Sequence, residues 1–151
     1  MKRVLVLCTG NSCRSVMAEA LINHLCEGRL RAESAGSLPA GYVHPKSLET
    51  LTRHGIPFAE PYSKSWDVFD GEHFDVVITV CDAAASETCP VYLGEHVKLH
   101  WSTPDPAGAV GTEQEIDAAF DAAFTMLKQR IEQELLSDGT GQDNSGSNNV
   151  V

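Results

Sequence analysis

Positive charge is scarce in this chain. Lys and Arg number 11 against 21 Asp and Glu, which leaves a formal charge of −10. That balance excludes non-specific binding to nucleic acid or to anionic membrane surfaces. Long apolar runs are missing too, and none approaches the roughly 20 residues of a membrane-spanning helix. The opening segment, residues 1–8, is too short for a signal peptide and carries no small-residue cleavage site, so a cytoplasmic location is expected. Metal-ligand spacing is also lacking. The five cysteines (8, 13, 26, 81 and 89) include no Cys-x-x-Cys pair, and the six histidines (24, 44, 54, 73, 96 and 100) are scattered. No metal site of the zinc type is expected from them. Nor can an odd cysteine count close as a purely structural disulfide framework. In a reducing compartment such thiols are either packed or at work.

What is present is an ordinary globular composition, 42% hydrophobic and 21% charged in 151 residues. That length supports one domain with a proper core. Arg3 to Cys8 is a short, nearly continuous Val/Leu run, as expected of a strand buried on both faces. It meets the turn formers Thr9-Gly10-Asn11-Ser12, after which helical periodicity appears in Val16, Met17, Ala20, Leu21, His24 and Leu25, with Gly28 as a stop. Leu30 to Ala35 reads as a second strand, and Pro45 opens a helix that Gly55 closes. Trp66 to Phe69 fits one helical turn. Asp75 to Cys81 gives the strongest strand signal, and Val97 to Trp101 gives a fourth strand. Thr112 and Glu115 form a capping box for a last helix with the stripe Ile116, Phe120, Ala123, Leu127, Ile131 and Leu135. The expected fold class is α/β, a single domain over 1–136 with an open four-stranded parallel sheet and helices on both faces. Residues 137–151, rich in Gly, Ser, Asn and Asp, are expected to form a disordered polar tail.

In such a sheet the active crevice lies beyond the carboxyl ends of the strands. Cys8 and Cys81 both fall at such ends. Cys8-Thr9-Gly10-Asn11-Ser12-Cys13-Arg14 places a cysteine and an arginine around a loop that leads from a strand into a helix. Successive amides in such a loop can turn inward as an anion-binding nest, reinforced by the helix dipole. Arg14 adds a planar fork suited to two oxygens of a tetrahedral oxyanion. Cys8 at the base of that cradle should be favoured as thiolate, a nucleophile aimed at the anion's central atom. Ser15 could donate a hydrogen bond to it.

This run, with Met17-Ala18-Glu19-Ala20 after it, resembles the low-molecular-weight protein tyrosine phosphatase superfamily. The likeness continues through Ser34-Ala35-Gly36, the Asp75–Cys81 strand and Asp105-Pro106 to the last helix. It implies either of two activities, phosphotyrosine hydrolysis or reduction of arsenate to arsenite. A phosphatase would use Cys8, Arg14 and an acid, for which Asp105 in Pro104-Asp105-Pro106 is the candidate. A reductase must also move two electrons, which requires more thiols. Cys81 and Cys89, separated by a small polar segment and followed by Pro90, resemble the resolving loop of thioredoxin-coupled arsenate reductases. Ala107 and Gly108 stand where phosphatases of this superfamily carry aromatic residues. The resemblance therefore favours a monomeric cytoplasmic arsenate reductase of arsenic detoxification. It would use Cys8, Cys81 and Cys89 in sequence and bind arsenate through residues 9–14. A low-molecular-weight phosphatase is the alternative, and an oxyanion sensor without catalysis a distant third. The expected electron donor is thioredoxin, or glutathione or mycothiol with a glutaredoxin, and no bound cofactor is expected. In the thioredoxin-coupled branch a potassium ion is held partly by residues matching Asn11, Glu19 and Ser34. Asp67 is the nearest acidic candidate for a fourth ligand, though loop shaping is the preferred role for the three. Cys13 could pair with Cys8 under oxidation, and Cys26 reads as a packed thiol.

Overall fold

The computed structural model describes residues 2–80 and 97–136. Four strands, β1 (Lys2–Cys8), β2 (Leu30–Gly36), β3 (Val76–Thr79) and β4 (Val97–His100), make one parallel sheet in the order β2-β1-β3-β4. β1 pairs on both sides, so Leu5 lies between Glu33 and Val77. Val4 to Leu7 are almost completely buried, which is why the strand reads as an unbroken apolar run rather than an alternating one.

Three α-helices complete the described chain. Helix α1 (Arg14–Leu25) buries Val16, Met17, Ala18, Leu21 and Ile22. Helix α2 (Pro45–Arg53) is capped by His44, whose Nδ1 accepts from the Lys46 amide. Helix α3 (Glu113–Ile131) starts at the expected capping box. Thr112 Oγ1 accepts from Glu115 N at 3.1 Å, and Glu115 Oε1 accepts from Thr112 N at 2.8 Å. The three helices pack against one another. Phe120, Ala123, Leu127 and Ile131 of the expected stripe are buried, Ile116 and Leu135 only partly, and Phe124 joins them. Trp66–Phe69 is a single 3-10 turn beside β2, and Ser65 bridges to Gly36.

Element ends differ from the sequence reading by one or two residues. β3 starts after Asp75, whose carboxylate accepts from the Arg3 amide at 2.8 Å. The ladder continues past β4 through Trp101 N to Thr79 O at 2.7 Å. Cys81 and Cys89 lie outside the described residues, as do 137–151. No helix among the described residues is long and apolar enough to cross a membrane.

Candidate active site

The end of β1 delivers Cys8 to the start of α1, and residues 9–13 form the turn between them. The carbonyls of this turn are held outward. Thr9 O accepts from Leu38 N, Gly10 O from Ala40 N and Ser63 Oγ, and Ser12 O from His44 N and Ser47 Oγ, all at 2.9–3.2 Å. In a trans peptide the N–H opposes the C=O, so the amides of Gly10, Asn11 and Cys13 face the other way, into the turn. One of them is already engaged: Asn11 N donates to the Cys8 sulfur at 3.2 Å. Asn11 adopts φ 48°, a left-handed conformation that asparagine tolerates better than most residues.

A chain of hydrogen bonds with a fixed direction runs beneath this cradle. Lys64 N donates to Asn11 Oδ1 at 2.9 Å, which settles which end of the side-chain amide is oxygen. The Asn11 NH2 therefore spends its two protons on Ser15 Oγ at 2.9 Å and Ser34 Oγ at 3.0 Å. Ser15 Oγ lies 2.9 Å from the Cys8 sulfur. Having accepted from Asn11, it has its own proton free to donate to that sulfur. Ser34 likewise donates to Glu19 Oε1. The sulfur thus faces one backbone amide donor and one hydroxyl able to donate to it.

Arg14, the first residue of α1, is largely buried. Its Nη1 donates to Thr103 O at 2.9 Å and its Nη2 lies 3.7 Å from Asp105 Oδ2. Thr103 in turn is fixed to the end of β3, its amide on Val80 O at 3.1 Å. Asp105 is about half exposed and its other oxygen caps the Ala107 amide at 3.0 Å, opening the short turn Pro106–Gly108. Ala107 and Gly108 are exposed. Burial pushes the Cys13 thiol up against the opposing pull of the Ser47 and Ser12 hydroxyls, with Asp105 and Cys8 adding to the rise. Cys26 is also raised by burial. Cys8, Cys13 and Cys26 are free thiols.

Of the residues expected from sequence, Cys8, Asn11, Ser12, Cys13, Arg14, Ser15 and Asp105 gather around one turn, together with the backbone of Thr9 and Gly10. Cys81 and Cys89 fall outside the described residues. Asn11, Ser34 and Glu19 do converge, whereas Asp67 uses its amide on Ser65 Oγ, and its carboxylate has no hydrogen-bond or ion-pair partner among the described residues. Sequence reading missed the supporting contacts, namely the Lys64 amide on Asn11, Thr103 O on Arg14, and His44, Ser47 and Ser63 on the loop carbonyls. Those come from distant segments and leave no local signal. Ser34, at the end of β2 in a Ser-Ala-Gly run, is one of the residues the sequence singled out, and it takes a hydrogen bond from Asn11.

The same arrangement has relatives. An arsenate reductase of Halalkalibacterium halodurans is 35% identical over 130 residues, 86% of this chain and 92% of the relative. A glutaredoxin arsenate reductase of Synechocystis is 30% identical over 132 residues, 87% and 95% of the two chains. Among solved structures, an arsenate reductase in the phosphate binding state superposes with TM-score 0.74 at 28% identity, covering 90% of this chain and 98% of that one. The Corynebacterium glutamicum thioredoxin-dependent arsenate reductase gives TM-score 0.60 at 32% identity, covering 88% and 63%. Residues 3–141 match the family described as low molecular weight phosphotyrosine protein phosphatase, and the chain belongs to that family.

Proposed function

We propose that this protein is an arsenate reductase in which Cys8 is the nucleophile and Cys81 and Cys89 carry the electrons away. The observation that carries the reading is the Cys8 sulfur accepting from Asn11 N and Ser15 Oγ at the base of an inward-facing amide turn beside Arg14. Arsenate seats its oxygens on the turn's amides and the Arg14 guanidinium. The Cys8 thiolate attacks arsenic, and one arsenate oxygen leaves as water once protonated. The Cys81 thiolate then attacks the Cys8 sulfur. The sulfur–arsenic bonding pair goes to arsenic, so arsenite departs, arsenic(V) has become arsenic(III), and a Cys8–Cys81 disulfide remains. Cys89 attacks Cys81, which frees Cys8 as thiolate, and an external dithiol reduces the Cys81–Cys89 bond.

The relatives named above include both a glutaredoxin and a thioredoxin-dependent arsenate reductase, which supports an external thiol donor of either kind. A cytoplasmic location suits the scheme, since its resolving thiols must be kept reduced. Exposed Ala107 and Gly108 leave no aromatic wall at the Asp105 turn, and a small inorganic anion fits that opening better than an aryl ester.

One observation favours phosphatase chemistry as the second reading. Asp105 sets a carboxylate 3.7 Å from Arg14, at the mouth of the turn, where a leaving phenol would need a proton. Single-turnover arsenate reduction by wild type, Cys81→Ser and Cys89→Ser separates the two, run without donor and then with thioredoxin or with glutathione plus glutaredoxin. The relay expects arsenite from wild type and none sustained from either variant. Equal turnover by both variants with thioredoxin would overturn it.

A further inference from the structure

Two of the contacts that hold the anion turn come from the start of α2. Ser12 O accepts from His44 N at 3.0 Å and from Ser47 Oγ at 3.2 Å. With that carbonyl pinned outward, the Cys13 amide on the other side of the same peptide faces into the turn. The placement of α2 therefore enters the geometry of the cradle, and what fixes α2 lies on α3.

Lys46, in the first turn of α2, makes that link. Its Nζ lies 2.8 Å from Asp117 Oδ1 and 3.0 Å from Glu113 Oε2 on α3, and 3.5 Å from Glu49 Oε1 on its own helix. Glu113 and Asp117 are one helical turn apart, where two carboxylates repel each other, and the ammonium bonds to both. The lysine side chain is 16% exposed and Asp117 31%, against 78% for Glu113, so Asp117 is the partner that counts most. The Lys46 backbone is engaged as well: its amide donates to His44 Nδ1 at 3.1 Å and its carbonyl accepts from Thr50 Oγ1 at 2.6 Å. The His44 ring in turn rests on Phe120 of α3, with centroids 5.0 Å apart. One route of contacts thus runs from α3 through Lys46 and His44 to Ser12 O. At the other end of the same helix pair, Arg53 Nη2 meets Asp121 Oδ1 at 2.6 Å. That pair sits about 10 Å further along the helix, and no hydrogen bond or ion pair among the described residues joins Arg53 to the turn.

We propose that Lys46 is a positioning residue for anion binding. By tying the first turn of α2 to Asp117 and Glu113, it holds His44 N and Ser47 Oγ on Ser12 O and keeps the Cys13 amide aimed at the oxyanion. It touches neither the anion nor Cys8. The proposal rests on the reading of residues 8–14 as an anion-binding turn and names what that turn depends on outside itself.

Affinity for inorganic phosphate, thermal midpoint, and kcat and KM for arsenate test it. The proteins are wild type, Lys46→Met, Lys46→Arg, Ser47→Ala, Lys46→Met/Ser47→Ala and Arg53→Met. Lys46→Met is expected to bind phosphate about fivefold more weakly, the size of one well-placed ion pair, and to raise KM by a similar factor. Its kcat should stay within about twofold of wild type, the pattern of lost uniform binding, because the donors facing the Cys8 sulfur come from Asn11 N and Ser15 Oγ and bypass α2. Lys46→Arg should restore the affinity. Ser47→Ala should reproduce the loss, and the double variant should lose less than the two combined, since both act through one carbonyl. Arg53→Met should lower the thermal midpoint and leave phosphate affinity at the wild-type level. Asp117→Asn, which keeps the lysine and removes its best-shielded partner, gives the same test if Lys46→Met fails to fold. Wild-type affinity in Lys46→Met, an equal loss in Arg53→Met, or full additivity in the double variant would overturn the proposal. Phosphate binding does not depend on arsenate chemistry. A chain showing this pattern but no arsenate reduction would sink the reductase reading and leave Lys46 in place, whereas a wild type that binds no phosphate would remove the anion turn and this proposal together.

Discussion

Gly36 stands directly opposite Cys8 in the β1–β2 ladder, and a side chain there would have no room. A Cβ built on Gly36 would overlap Thr9 O and lie 2.8 Å from Cys8 O, both backbone atoms that cannot yield cheaply. The requirement is close approach. Gly36→Ala is expected to lose about 1–3 kcal/mol of stability through overpacking, with weaker phosphate binding because the strain falls on the turn. Urea unfolding and phosphate titration check both effects, and an unchanged phosphate affinity would mean the turn absorbs the clash elsewhere.

Ser15→Ala removes one of two donors to the Cys8 sulfur. A hydrogen bond to a charged group is worth about 1.5–3 kcal/mol, or roughly a 10- to 100-fold fall in kcat for arsenate. KM should change much less, since the proposed scheme seats the arsenate oxygens on amides and Arg14. A kcat within twofold of wild type would show that Asn11 N alone suffices.

Asp105 is the residue at which the two proposed chemistries diverge. Asp105→Asn is expected to slow hydrolysis of an aryl phosphate by about 100-fold, within the range for loss of a general acid, while leaving arsenate reduction near wild type. Parallel assays on one protein sample make the comparison. Equal losses in both would mark Asp105 as a positioning partner of Arg14 rather than an acid.

The contact between α2 and α3 should weaken in acid. Asp121 is partly buried, which raises its carboxyl, but Arg53 Nη2 at 2.6 Å and His54 Nε2 at 3.1 Å outweigh that and leave it lowered. The folded value lies below the unfolded one, so the stabilisation is complete above the ordinary carboxylate value of about 4 and is lost as pH falls through the folded value. Because the carboxylate is 41% exposed, the effect should stay within about 1 kcal/mol. Unfolding of wild type and Asp121→Asn from pH 7 to pH 2.5 should show two curves that converge at the acid end.

Thr112→Ala deletes half of the capping box that starts α3. About 1 kcal/mol of stability is expected to go, with arsenate kinetics unchanged because the cap lies away from the turn. Thermal melts beside kinetic assays distinguish this from a loss at the site.

Local order was legible in the residues themselves. The apolar run to Cys8, the Thr112/Glu115 cap and the Pro45 and Gly55 boundaries rest on neighbours in sequence, and backbone sterics and near-range hydrogen bonds decide them. The Cys8-to-Arg14 spacing was legible too, since a strand-to-helix turn shows in its own residues, although residues 38–63 are what hold its carbonyls outward. What tertiary structure alone decided is everything that points at this turn from elsewhere. Thr103 O reaches Arg14 across 89 residues, and Lys64 N meets Asn11 across 53. Such contacts depend on how the parallel crossovers stack the strand ends, and no pattern local to Lys64 or Thr103 encodes that stacking. The direction of the Asn11–Ser15–Cys8 hydrogen bonds follows from one of them, so sequence singled out Cys8 and the fold supplied the groups that surround its sulfur.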